Sequence, residues 1–444
     1  MSSENSMMLK KRLQRHGARL LSSHTLKNLK RRGWQVRQAL TAGQPEVEVW
    51  LRANDPYCYL LVQILPSLQQ RFAVNWRFRV IASLQDVMYP EPEMWQSNAV
   101  LDSGYLAELY GLTSPALEAP SIAQVEVATA RLLELQRKPL DWQQVIAVYD
   151  DLWLGNLRAS ICLTNAQKQL LADNEQLLQK KGHYLSATLN FQGEWYWGLD
   201  RMDHLERRLN SLKLNTATAN VIFNKTYVDF CRPYDAKHVD YEQKKQPLIL
   251  YFSIRSPYSH LGLERAVTLA RHYDIPVIVK PVLPMMMRGL NVPPTKKFYI
   301  FSDTKREADK FGIDYGFVAD PLGLGVERCY ALFEYARQLG KEVNYLLSYA
   351  RGVNAEGILS ETDAGLKMIV ERAGLEWSAA QAILTKPGWR TDWHKWANDH
   401  REEMIQQGQW GVPSLRYHNL TLWGQDRIEF IEQAIRHALL GPEQ

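Results

Sequence analysis

Two stretches of the chain place reactive side chains where a strand hands over to a helix. "SIRSPYSHLG" (Ser253–Gly262) follows the apolar run "PLILYF", and "RANDPYCYLL" (Arg52–Leu61) follows "EVEVWL". The first amides of a helix have no intrahelical partner, so they favour negative charge. In the later stretch this place holds Ser256, with Ser259 three residues on; in the earlier one it holds Asp55, with Cys58 three residues on. A serine hydroxyl there can donate to a bound thiolate, whose pKa a helix N-terminus lowers. It can equally serve as a plain N-cap. Two hydroxyls cannot form a disulfide, so dithiol exchange at Ser256 and Ser259 is excluded. Asp55 repels a thiolate but caps a helix well. Cys58 has no resolving cysteine and reads as a buried small residue.

The elements around these residues repeat. "VWLRANDPYCYLLVQILPSLQQRFAVNWRFRVI" (Val49–Ile81) aligns without a gap on "LYFSIRSPYSHLGLERAVTLARHYDIPVIVKPV" (Leu250–Val282). Both predict strand, turn, amphipathic helix and strand. A β-α-β unit favours a parallel pair and a right-handed crossover. "WYWGLDRMDHLERRL" (Trp195–Leu209) likewise matches "TLWGQDRIEFIEQAI" (Thr421–Ile435), each with a strand reaching Trp-Gly and an Asp-Arg pair opening a helix. Between these ends lie long stretches of mainly helical pattern. The fold class is therefore α/β, with two tandem domains at 45–215 and 246–440, each with a helical insertion. Residues 216–245 read as an extended, irregular linker.

The chain has 444 residues and a net charge of +5, enough for two or three ordinary domains. No window is apolar enough for a transmembrane helix, and no compact apolar core marks a secretory signal. The four cysteines are scattered, with no C-x-x-C pair and no metal-ligand spacing. A cytoplasmic location and no bound metal are expected. Residues 1–44 form a basic arm whose single acid is Glu4. Such an arm can meet nucleic acid or an acidic membrane surface. It can also be a solvated helical lead-in on the first domain, and nucleic acid is not the expected partner.

The order of "SPYS" after the first strand and "GVPSL" before the third resembles the thioredoxin fold with a helical insertion, as in the DsbA-like group. The second domain is more closely similar to 2-hydroxychromene-2-carboxylate isomerases and kappa-class glutathione transferases. The matching stretches are "SPYSHLG", "NVPPTKKFYIFSDTKREADKFGI", "YARGVNAEGI", "WGVPSL" and "WGQDR". The resemblance implies a glutathione-dependent isomerase or transferase, with Ser256 stabilising the glutathione thiolate. It implies a cis Val412–Pro413 bond beside the helix start, where the extended tripeptide can pair with backbone. It places Asp426 and Arg427 at the γ-glutamyl end and Asn291 near the active serine. Asp426 also suits a helix cap and Asn291 a turn, and the Asp200–Arg201 pair of the first domain supports the capping reading. Lys296 and Lys297 could meet a carboxylate, or simply face water. "PMMMRGL" (Pro284–Leu290) could wall an apolar pocket or fill core.

In the first domain "HYLSATL" replaces "GVPSL", so Ser186 or a neighbour stands for the proline. That copy reads as a retained scaffold. The expected partner is a small electrophilic substrate. Relatives of this kind pair up, so an intramolecular pseudo-dimer or a homodimer is a further expectation. The rival reading is a non-catalytic binding or scaffold protein; a disulfide oxidoreductase does not fit a chain without C-x-x-C.

Overall fold

The computed structural model describes residues 2–41, 43–83, 91–157, 162–228, 230–235, 239–240 and 242–441. Two compact units emerge. One comprises Lys30–Val228 with Pro293–Lys296; the other comprises Met1–Leu29, Asp229–Val292 and Lys297–Gln444.

The arm forms α1 (Ser2–Leu21) and α2 (His24–Thr41). The N-terminal domain continues with β1 (Glu46–Leu51), α3 (Pro56–Arg71), β2 (Asn75–Val80), α4 (Pro92–Tyr110), α5 (Ile122–Gln136), α6 (Trp142–Trp153), α7 (Asn165–Lys180), β3 (Thr188–Phe191), β4 (Glu194–Trp197), α8 (Met202–Ser211) and the short α9 (Lys225–Val228). The C-terminal domain has β5 (Leu248–Phe252), α10 (Pro257–Tyr273), β6 (Val277–Pro281), α11 (Pro294–Phe311), α12 (Leu324–Ala331), α13 (Phe333–Gln338), α14 (Glu342–Asn354), α15 (Asp363–Arg372), α16 (Trp377–Leu384), α17 (His394–Gln406), β7 (Ser414–Tyr417), β8 (Leu420–Trp423) and α18 (Ile428–Leu440).

The sheets have one plan. Their orders are β2-β1-β3-β4 and β6-β5-β7-β8. In each, the first pair is parallel and the two other pairs are antiparallel. β1 is buried on both faces, as a central strand must be, whereas the edge strand β2 alternates. The expected fold class, two thioredoxin-type α/β domains with helical insertions, is what the chain forms. The helices begin where chemistry favours it. Ser121 and Thr164 form capping boxes with Gln124 and Gln167, while Asp55 and Ser256 cap α3 and α10 ahead of Pro56 and Pro257.

The repeat extends into the insertions. The Tyr57 hydroxyl donates to Asp102 in α4 at 2.7 Å, and the Tyr258 hydroxyl donates to Asp303 in α11 at 2.7 Å. Both pairs span 45 residues, so the gapless alignment runs on to these helices.

The placing of the arm on the first domain is corrected. The arm does not belong to the first domain alone. α1 packs in the C-terminal unit, where Lys11 pairs with Glu361 at 2.6 Å, Arg15 donates to the Gly357 carbonyl at 2.8 Å, and Arg19 lies over Phe317. The linker is divided between the units, and a buried glutamate in α8 and another in α18 each accept two of its backbone amides. Glu206 accepts from Ile222 at 3.0 Å and Phe223 at 2.9 Å. Glu432 accepts from Cys231 at 2.9 Å and Arg232 at 2.7 Å. Residues 229, 236–238 and 241 of that linker lie outside the described residues.

Candidate functional site

At the start of α10, Ser256 has extended backbone and caps the helix. Its Oγ accepts from the Ser259 amide at 3.2 Å and donates to the Val412 carbonyl at 3.5 Å. The second contact is long for a hydroxyl donor. The Val412–Pro413 bond is cis. Ser256 and Val412 are half-buried, while Pro413 is buried. Ser259, fully buried, accepts from the Ser253 amide at 3.3 Å and so serves the strand end.

The junction rests on a close approach. A Cβ built on Gly262 would meet Pro413 Cβ at 2.9 Å and Cγ at 3.1 Å. Only a residue without a side chain lets α10 lie so near the proline ring.

Behind the turn runs a buried polar chain. Arg265 Nη1 donates to the carbonyl and Oε1 of Gln425, both at 2.6 Å, and Nη2 donates to Glu429 at 2.7 Å. The guanidinium stacks 3.9 Å from the Phe311 ring centroid. Gln425 Nε2 in turn donates to Asp426 Oδ1 at 2.5 Å. Burial raises the Glu429 carboxyl to about 7, although Arg265 acts to lower it.

The structure joins Ser256, Val412 and Pro413 directly, and fixes Asp426 through Gln425. Asp426 is half-buried, whereas Arg427 is 2% exposed and donates to the Asp426 carbonyl at 3.0 Å. Arg201 does the same to the Asp200 carbonyl at 3.2 Å, so this arginine shapes the turn in both copies. Asn291 is exposed on the loop before α11, and no hydrogen bond ties it to the Ser256 cluster among the described residues. Burial lowers the Lys296 ammonium to about 8, while Lys297 is exposed. Met285–Arg288 form a half-buried 3-10 turn. Arg265, Gln425 and Glu429 were not singled out from sequence. The signal was present: the aligned positions Ile64 and Leu199 are apolar, so a polar pair appears only in one copy.

The first copy fills the same places differently. Val49 pairs with Leu189 as Leu250 pairs with Leu415. Ala187, at a positive φ of 50°, therefore stands in the place of Pro413, and Ser186 in that of Val412. The Ser186 hydroxyl donates to Asp55 at 2.5 Å. Asp55 is 1% exposed and Ser186 2%. Cys58 accepts amide hydrogens from Arg52 at 3.3 Å and Ala187 at 3.1 Å. Burial, and then Asp55, push its thiol up, so it is a packed acceptor rather than a nucleophile.

Residues 247–436 match the model of the DSBA-like thioredoxin domain, and the C-terminal half carries that domain. A 2-hydroxychromene-2-carboxylate isomerase of Pseudomonas putida is 24% identical over 193 residues, covering 42% of this chain and 92% of the relative. The enzyme of that name from Sphingobium xenophagum is 24% identical, covering 41% and 94%. A solved 2-hydroxychromene-2-carboxylate isomerase aligns with a TM-score of 0.37 and 22% identity, covering 43% of this chain and 94% of that structure.

Proposed function

We propose that the C-terminal domain is a glutathione-dependent isomerase or transferase of the 2-hydroxychromene-2-carboxylate isomerase and kappa-class type. One observation carries this reading. The Ser256 hydroxyl sits at the N-terminus of α10, loosely held by the carbonyl that precedes a cis proline, on a half-buried surface.

The residues present suit the tripeptide. The backbone at Val412 offers an edge to an extended peptide, with Pro413 and Gly262 fixing its height against α10. The helix start and the serine hydroxyl suit a sulfur anion. Asp426, oriented through Gln425, suits the ammonium of a γ-glutamyl group. Arg427 acts from beneath by holding the Asp426 carbonyl. Asn291 supplies an exposed amide to the peptide or the substrate. When bound, glutathione supplies a nucleophilic sulfur for an electrophilic carbon of a small substrate. Ser256 shifts its hydroxyl from Val412 to the anionic sulfur and stabilises that form. Ser259 stays with the Ser253 amide and takes no part.

The test is calorimetric titration of the full chain with glutathione, combined with the ultraviolet absorbance of bound thiolate. The expected result is binding with thiolate present at neutral pH, and loss of the thiolate signal in Ser256→Ala while binding persists. Absence of binding overturns the reading and leaves the scaffold function.

A further inference from the structure

The basic arm is not used by the site above, and its helices share a pattern. In α2, Arg31 and Trp34 face the N-terminal domain. Arg31 Nε donates to Glu194 at 2.5 Å, and the Trp34 ring lies against Gly193. At 100° per residue the opposite side of that helix carries positions 29, 33, 36 and 40. They are Leu29, Gly33, Val36 and Leu40, and the three apolar side chains are 65%, 60% and 82% exposed. Exposed Arg32 borders this stripe on one side, and exposed Lys30 and Arg37 border it on the other. α1 repeats the arrangement. Lys11, Arg15 and Ser22 dock on the C-terminal domain, and Leu13 and Leu20 face away beside exposed Arg12. From residue 5 to residue 45 the chain has no acid.

We propose that α2 lays its apolar stripe into the surface of an anionic lipid bilayer. A docked helix with an outward apolar stripe flanked by exposed cations has the amphipathic geometry that lies in a membrane interface. The leucines and valine reach the acyl boundary while the cations meet acidic headgroups. A nucleic-acid backbone would answer the cations but leaves the stripe in water. A second copy would answer the stripe but bring like charges together. No helix among the described residues is long and apolar enough to cross a membrane, so the attachment is peripheral.

The full chain is sedimented with vesicles of neutral phosphatidylcholine, alone or mixed with phosphatidylserine. Binding to the mixed vesicles, weakened by salt, is expected. The triple variant Leu29→Gln, Val36→Gln, Leu40→Gln and the triple variant Lys30→Gln, Arg32→Gln, Arg37→Gln should each cut partitioning by about tenfold or more. Circular dichroism checks that both keep their helices. No binding to mixed vesicles, equal binding to neutral ones, or an apolar variant that binds like the parent overturns the proposal. So does light scattering that shows a dimer dispersed by the apolar variant without vesicle binding. Cation-dependent capture of a nucleic-acid duplex without vesicle binding also overturns it.

Discussion

At the start of α3 the Asp55 carboxylate accepts from Ser186 at 2.5 Å, and both residues are buried. At the start of α10 the equivalent Ser256 is half-buried and donates to the backbone carbonyl of Val412, the residue equivalent to Ser186, at 3.5 Å. The backbone plan is the same on each side. What differs is which partners the polar groups at the junction find. In the N-terminal domain Asp55 and Ser186 meet each other side chain to side chain, whereas among the described residues the Ser256 hydroxyl meets only backbone groups. The packing is exchanged too. Gly262 lies against Pro413, while the aligned positions hold Leu61 and Ala187. The Ser186–Asp55 hydrogen bond gives the first junction a buried internal partner for its carboxylate.

Variants that exchange features between the copies test this comparison. The largest effect is expected at Arg265. Replacing it by Ile, as at Ile64, strands the buried Glu429 and should cost about 3–5 kcal/mol by urea unfolding. A cost near zero would show that the polar chain is not a structural difference between the copies. Glu429 adds a pH dependence. Its folded value of about 7 lies above the ordinary 4.5 because of burial. The folded domain therefore holds more protons between these values, so stability falls as pH rises through that window and levels above it. Glu429→Gln should flatten that slope in urea midpoints.

Next comes Ser256. On the proposed function, Ser256→Ala removes one charge-assisted hydrogen bond to the glutathione sulfur, worth about 1.5–3 kcal/mol. The pKa of bound glutathione should rise by about one to two units, read from its thiolate absorbance. Ser256→Asp copies the first domain and should raise it further, because a carboxylate then opposes the sulfur. If Ser259→Ala has the larger effect, the wrong serine has been assigned. Gly262→Ala sets a methyl against Pro413 and should cost about 1–3 kcal/mol. It should also weaken glutathione binding by displacing the Val412 edge. Loss of stability with unchanged binding would separate the proline turn from the site. The smallest effect is expected for Cys58→Ser, since Ser259 already fills that role: about 1 kcal/mol, with both amide bonds kept. Unfolding of that variant would show that the two positions are not equivalent.

The sequence by itself determined the duplication, the β-α-β openings, the Asp-Arg endings and the place of Ser256. These follow from local patterns: alternation in strands, helical spacing, Pro-Tyr after a capping residue. It also left Ser259 and Cys58 at equivalent positions, which the shared acceptance of a strand-end amide explains. Tertiary structure decided the rest. Strand register, fixed by pairing between residues far apart in sequence, put Ala187 rather than Ser186 in the proline's place. The Arg265–Gln425–Asp426 chain joins residues 160 apart, a distance no local pattern spans. Arg427 reads as a ligand contact from its neighbour Asp426, yet it is buried because the turn folds its guanidinium back on the Asp426 carbonyl. The arm reads as one lead-in segment, but charge alone does not say which surface a cation meets. Glu361 and Glu194, brought near by folding, draw Lys11 and Arg31 to different domains.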